Sequence, residues 1–143
     1  MKDDDTDTVG EPLVAADNRS TAPDPAGERP AGTDTSAVAG SPLIVLTTTG
    51  SAEEAHSIAA ALVERRLAAC VQVLGPMTST YRWEGAVETA EEWLCLAKTT
   101  GDRYLSVEQA ILGLHSYDTP EILAVPVSAG SGAYLRWLVG NIA

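Results

Sequence analysis

The pattern of apolar and polar residues after residue 42 predicts a strand followed by a helix. Residues 43–49 (LIVLTTT) are a compact, largely β-branched run, which predicts a buried strand. Ser51 is followed by Glu54 three positions later, as in a capping box. Apolar residues then recur at helical spacing, which predicts a helix over 55–66 that buries one face.

After this helix, apolar and polar residues alternate with a period of two, which predicts a long hairpin. Residues 68–74 read as a strand closed by the turn signal Gly75-Pro76, and 77–83 and 86–100 read as two further strands. A strand of fifteen residues exceeds the usual length of about 5–6, so we expect a bend or bulge near residues 91–92.

The tip of this hairpin (TSTYRWEG, 78–85) concentrates aromatic residues. Tyr81 and Trp83 are two positions apart and therefore share one strand face, whereas Arg82 points the other way. Glu84-Gly85 is the predicted turn. The aromatic face either packs against another subunit or lines a pocket.

The remainder predicts helix, strand and helix. Asp102 is the expected N-cap of a helix through Leu114, and Thr119-Pro120 breaks the chain. Residues 122–127 predict a strand, at an edge because of Pro126, and 131–139 predict a short helix. The order βαββαβ predicts an α+β, ferredoxin-like fold, with both long helices on one face of a four-stranded sheet.

The other face of that sheet is also apolar in this prediction. On the long strand Trp93, Cys95 and Ala97 share one face, and Leu94, Leu96 and Lys98 share the other. A lone domain of this kind leaves apolar sheet surface and a strand edge in water, so we expect self-association.

Composition divides the chain into a tail, residues 1–42, and one domain, residues 43–143. The tail has nine acidic and three basic residues, five of the eight prolines and no aromatic residue, which predicts disorder. The domain has six basic and eleven acidic residues, a balance that argues against non-specific nucleic-acid binding. No apolar run reaches the roughly 20 residues that a membrane span needs. Two cysteines are too few for a disulfide scaffold, so we expect a cytoplasmic protein.

Several motifs at compatible spacing resemble the CutA divalent-cation tolerance family over the whole predicted domain. They are ERRLAACV (64–71), YRWEG (81–85), LAKTT (96–100), YDTPEI (117–122), LAVPV (123–127) and AYLRWL (133–138). The resemblance implies a tight homotrimer of ferredoxin-like subunits, linked to tolerance of copper and other divalent cations. It also implies a likeness to the PII signalling proteins, which bind small ligands between subunits.

A divalent cation, copper in particular, is the first candidate ligand, with His115, Asp118 and Glu121 as candidate metal ligands because imidazole and carboxylate groups suit such ions. The alternative for His115 is a cap at a helix C-terminus. Family members with a proposed copper site use a cysteine on the first strand and two adjacent histidines. This sequence has Thr47 and Leu114-His115 at those positions, so two of the three ligands are absent.

A small anionic ligand in a cleft between subunits is the second candidate. The residues expected there, or in a subunit interface, are Tyr81, Trp83, Lys98, Tyr117 and Glu121. Lys98 has apolar neighbours and therefore needs an anionic partner, either a carboxylate of an adjacent subunit or a ligand. The sequence has no nucleophile motif and no phosphate-binding loop, so we expect binding rather than catalysis.

Overall fold

The structure, a computed structural model, describes residues 40–143. The predicted tail lies outside the described residues except for its last three positions. Pro42 already belongs to the first strand, one residue before the predicted domain boundary. In chain order the elements are β1 (Pro42–Thr49), α1 (Ala52–Glu64), β2 (Cys70–Trp83), β3 (Ala86–Thr100), α2 (Tyr104–Leu114), β4 (Leu123–Pro126) and α3 (Gly132–Gly140).

The four strands form one antiparallel sheet in the order β2-β3-β1-β4, which confirms the predicted ferredoxin-like α+β fold. The strand β4 lies at an edge, as Pro126 predicted. None of the helices in residues 40–143 is long and apolar enough to span a bilayer.

Both long helices cover one face of the sheet. The core between them is formed by Val45, Ile58, Leu62, Ala68, Ala97, Val107 and Ile111, each at most 1% exposed. Ser51 caps α1 by accepting a hydrogen bond of 3.2 Å from the Glu54 backbone N–H, as the capping-box pattern predicted. Asp102 is not the N-cap of α2: it lies in a 3-10 turn, where Thr100 Oγ1 donates to its carboxylate.

The predicted turn at Gly75-Pro76 is wrong, because β2 runs through it. Leu74 pairs with Leu94 and Met77 with Glu92, so β2 has one extra residue there. This is a β-bulge. It lies close to the predicted position along the hairpin, but in β2 and not in β3. A Cβ on Gly75 would lie 2.7 Å from Cγ of Trp93, so the indole on β3 fits only against a glycine.

The hairpin extends well beyond the rest of the sheet. β1 pairs with β3 only from Trp93 to Thr100, so residues 77–83 and 86–92 form a two-stranded ribbon. Glu84 and Gly85 both have positive φ, which is the two-residue hairpin turn that the sequence predicted. A two-stranded ribbon is marginally stable alone, so this arm depends on contacts beyond its own two strands.

Candidate functional site

The face of the sheet opposite α1 and α2, which we name the open face, is largely apolar. Its polar members include Gln72, which pairs with Leu96, and Lys98, which the Tyr134 side chain of α3 contacts at one end of the face. Strand register places Ile44 and Leu46 beside Leu94, Leu96 and Lys98 on this face, and none of the five is fully buried. On the edge strand β4, Leu123 and Val125 are 54% and 46% exposed. The apolar residues among them form a contiguous surface, and an apolar surface of this kind usually marks an interface.

A cavity of about 620 Å³ opens at the end of this face where the hairpin arm begins. Tyr81 and Trp83 come to it from β2, and Tyr117 comes from the loop that follows α2. The arm of β2 and the loop after α2 are distant in sequence. They come close in space because only β3 and β1 lie between β2 and β4 in the sheet. The three aromatic side chains therefore share one cavity, as expected of a binding pocket.

Two carboxylates complete this cavity, which we name the aromatic cavity. Glu92 on β3 is 7% exposed, and its Oε2 lies 3.5 Å from the Tyr117 hydroxyl, which donates to it. Glu121 lies at the exposed side. Burial, and after it the negative charges of Glu92 and Glu54, together raise the pKa of Tyr117 to about 12. The phenol is thus a hydrogen-bond donor at neutral pH.

Of the five predicted cleft residues, the structure brings four together and leaves one apart. Tyr81, Trp83, Tyr117 and Glu121 line the aromatic cavity, whereas Lys98 lies near α3. Its Nζ is 3.2 Å from the Tyr134 hydroxyl and 5.3 Å from the centre of that ring. Among residues 40–143 the partner of Lys98 is therefore a phenol and not a carboxylate.

Sequence reasoning missed Glu92, although the pattern contained a signal for it. Residues 92, 94 and 96 alternate on one strand face, so an acid joins two leucines on the apolar open face. A charged residue on an apolar strand face is a candidate functional residue because its desolvation is costly.

The predicted metal ligands are not gathered into a site. Residues 40–143 contain no group of three or more His, Cys, Asp or Glu side chains placed to hold one ion. The His115 side chain is fully buried, and its Nε2 lies 2.7 Å from the Thr48 carbonyl oxygen. Its Nδ1 accepts from the Tyr117 backbone N–H at 3.1 Å. These contacts fit a proton on Nε2 and leave neither nitrogen free for a metal.

Glu54 completes a polar cluster around the buried His115 side chain. Its carboxylate accepts from the backbone N–H of Ser116 at 2.6 Å and from the Ser116 hydroxyl at 2.9 Å, and lies 3.4 Å from His115 Nδ1. The cluster joins the start of α1 to the end of α2 and to β1. Its geometry explains His115 as a structural residue at the end of α2, which was the alternative to a metal ligand.

The two cysteines differ in environment. Cys95 is fully buried on the helix side, where burial raises the pKa of its thiol to about 11, with a further contribution from Glu54. Cys70 is free and half-buried on the open face, where it pairs with Lys98. Thr47, at the position where the family's proposed site has cysteine, is buried, and its hydroxyl has no hydrogen-bond partner in the part of the chain that the structure describes.

Comparison with known proteins assigns the family. Residues 43–141 match the profile described as CutA1 divalent ion tolerance protein. The chain belongs to the CutA1 family. The divalent-cation tolerance protein CutA of Thermus thermophilus is 46% identical over 98 residues, which cover 68% of this chain and 95% of that protein.

Solved structures of family members have the same fold. The Cut A1 structure from Thermus thermophilus has a TM-score of 0.68 at 45% identity and covers 70% of this chain and 97% of its own. A structure from Archaeoglobus fulgidus, named a periplasmic divalent cation tolerance protein, has a TM-score of 0.69 at 35% identity, covering 71% and 99%. The family resemblance predicted from the motifs is thereby confirmed.

Proposed function

We propose that this CutA1-family protein acts in tolerance of divalent cations as a homotrimer whose subunits associate through the open face. The observation that carries the proposal is the largely apolar open face, which α1 and α2 do not cover and which α3 contacts only at the Lys98 end. The family resemblance favours three copies as its occupants, since it implies a trimer with strands paired between neighbouring subunits. The overhanging arm supports this, because a second subunit supplies the contacts that a two-stranded ribbon lacks.

Sedimentation equilibrium tests the assembly directly. We expect a mass three times the protomer mass of 14.9 kDa. Leu96→Asp places a charge in the centre of the open face, where association would have to desolvate it, so we expect a folded protomer of one-third the mass. A wild-type chain that stays monomeric at micromolar concentration would contradict the proposal.

Growth of a bacterial strain that lacks its own family member tests the biological role. We expect the wild-type chain to restore growth at raised copper concentration and Leu96→Asp to restore less. Equal growth with and without the chain, when it is expressed and trimeric, would reject the cation-tolerance role and leave the trimer standing.

Direct copper binding remains a prediction, and the geometry directs how to test it. Since both nitrogens of His115 are engaged, we propose that a divalent ion meets the exposed carboxylates of Asp118 and Glu121. Calorimetric titration with CuCl₂ should then give weak binding that Glu121→Gln reduces and His115→Gln leaves unchanged. Loss of binding in the His115 variant as well as in the Glu121 variant would instead support the sequence-based ligand set of His115, Asp118 and Glu121.

The PII-like alternative, a small anionic ligand between subunits, depended on Lys98. That side chain already has Tyr134 as a partner, and the cavity formed by the other predicted residues is acidic. We therefore place the anionic ligand second. Saturable binding of succinate that Lys98→Ala abolishes would reverse this order.

We also propose a non-catalytic role and a cytoplasmic location. The raised pKa of the Cys95 thiol and the engaged nitrogens of His115 leave neither side chain available as nucleophile or base. Two free cysteines fit a reducing compartment. Fractionation of the native host with an antibody against the chain tests the location.

A further inference from the structure

The aromatic cavity combines three aromatic side chains with two carboxylates. Tyr81, Trp83 and Tyr117 form aromatic walls around a space of about 620 Å³, large enough for a small organic molecule. Aromatic faces carry negative electrostatic potential, so they attract cations as well as apolar groups.

The buried carboxylate of Glu92 in the cavity wall has no cationic partner among the described residues. The aromatic cavity has no Lys, Arg or His in its lining within residues 40–143, and Glu92 has only the 3.5 Å contact with Tyr117 as a hydrogen bond from a side chain. Burying a carboxylate without a compensating charge costs free energy. A cation inside the cavity would supply that charge.

The kind of cation follows from the other walls. A divalent metal needs several oxygen, nitrogen or sulfur ligands around one point, and the described residues include no such group of three. An alkylammonium ion needs one carboxylate for its charged end and apolar or aromatic surface for its methylene groups. Glu121, at the exposed side, offers a second carboxylate to a ligand with two charged ends.

We propose that the aromatic cavity binds a small organic ammonium ion of the aliphatic diamine class, with Glu92 as the counter-charge of the buried ammonium group. Tyr81, Trp83 and Tyr117 contact the methylene chain, and Glu121 faces the outer ammonium group. The Tyr117 hydroxyl fixes the orientation of Glu92. The cavity includes Glu121 and opens on the proposed subunit interface through Leu46 and Leu94, so this inference rests on the cavity staying accessible in the proposed trimer. Cation tolerance and the number of subunits each have their own test above.

Calorimetry on the full-length protein at low ionic strength, with 1,4-diaminobutane as the probe, tests the proposal. We expect saturable binding of one diamine per chain and quenching or shift of tryptophan fluorescence through Trp83. The uncharged 1,4-butanediol, of the same length, should bind at least tenfold more weakly because it lacks the charge that Glu92 compensates. Succinate should not bind.

Two neighbouring carboxylates provide a matched pair of variants. Glu92→Gln keeps the shape of the side chain and removes its charge, so we expect diamine affinity to fall at least tenfold. Glu91→Gln is the control, because Glu91 is exposed and lies on the opposite strand face. Both variants must melt cooperatively. If Glu92→Gln fails to fold, Trp83→Leu in the cavity wall replaces it, with the same expected loss.

Three results would overturn the proposal. One is equal binding of the diol and the diamine; another is equal loss of binding in the Glu91 and Glu92 variants. The third is diamine binding by the dissociated Leu96→Asp protomer but not by the wild-type assembly, since a basic side chain of a second copy would then be the occupant. None of them would bear on the measured mass or on growth at raised copper concentration.

Discussion

On the helix-covered face of the sheet, Val45, Cys95 and Ala97 are fully buried, whereas Leu46 and Leu96 beside them on the open face are only half-buried. Both sets come from the same strands and have similar hydrophobicity. The difference lies in what is available to cover them, because both long helices pack on one side. Folding of the protomer therefore buries only one apolar face of the sheet, against α1 and α2. Burial of the other face requires a second molecule.

The sharpest way to break this comparison is to place the same charge on adjacent residues of β3. Ala97→Asp puts a carboxylate into the closed core, where its desolvation costs several kcal/mol, so we expect no cooperatively folded protein. Leu96→Asp should fold and dissociate. Circular dichroism melting of the two variants checks this, and equal melting temperatures would mean that the two faces are equally open.

The bulge gives the next largest effect. Gly75→Ala forces the added methyl group against the Trp93 indole, so we expect a loss of about 1–3 kcal/mol in the free energy of unfolding. Gly113→Ala in α2 is the control, because its Cβ meets nothing within 4 Å. That variant should gain up to about 1 kcal/mol. Urea denaturation measures both, and no loss in the first variant would show that the indole can move.

The pH dependence of the free energy of unfolding reports on the buried thiol of the helix-covered face. The pKa of the Cys95 thiol is raised from 9.0 to about 11 in the folded state, so its stabilising effect is complete below pH 9. Above pH 9 the unfolded chain loses this proton first, and stability should fall until pH 11, by at most about 1.4 kcal/mol per pH unit. Cys95→Ala should flatten that slope.

A thiol reagent provides the matching measurement on the open face. Half-buried Cys70 should react with it in the dissociated Leu96→Asp protomer, whereas Cys95 should react only on unfolding. Reaction of both thiols at one rate in the folded protein would contradict the assignment of the two faces.

The smallest expected change in stability comes from Ser51, which lies on neither face of the sheet. Ser51→Ala removes the side-chain acceptor at the start of α1, and we expect a loss of about 1 kcal/mol. Ser131, which caps α3 in the same way, offers a second example of the motif. If Ser51→Ala destabilised the protein by more than Gly75→Ala, the proposed ranking would be wrong.

The sequence predicted the order of elements because their signals are local. The β-branched run in β1, the capping residue Ser51 and the Glu84-Gly85 turn each act within a few positions. The bulge was misplaced because it depends on Trp93 from the opposite strand, which no local pattern at Gly75-Pro76 reveals.

The site was predicted only in part for a similar reason. Tyr81 and Trp83 could be placed together from strand alternation, and Tyr117 joins them in the structure. The sequence offered two roles for His115, metal ligand and helix cap, and could not decide between them, since its ring contacts Thr48, which is 67 positions away. Likewise Lys98 meets Tyr134 from a helix whose docking position is set by tertiary packing.

The overhanging arm gives a chain of this size a way to gain thermal stability. At roughly 3.3 Å per residue, the seven paired positions beyond β1 give it a reach of roughly 23 Å. A domain of about 100 residues is limited by its high ratio of surface to volume. In the proposed ring of three, each arm crosses to its neighbour, so contact area grows with arm length while the protomer's interior stays small. Thermal adaptation could therefore proceed by changing the ribbon and leave the central packing untouched.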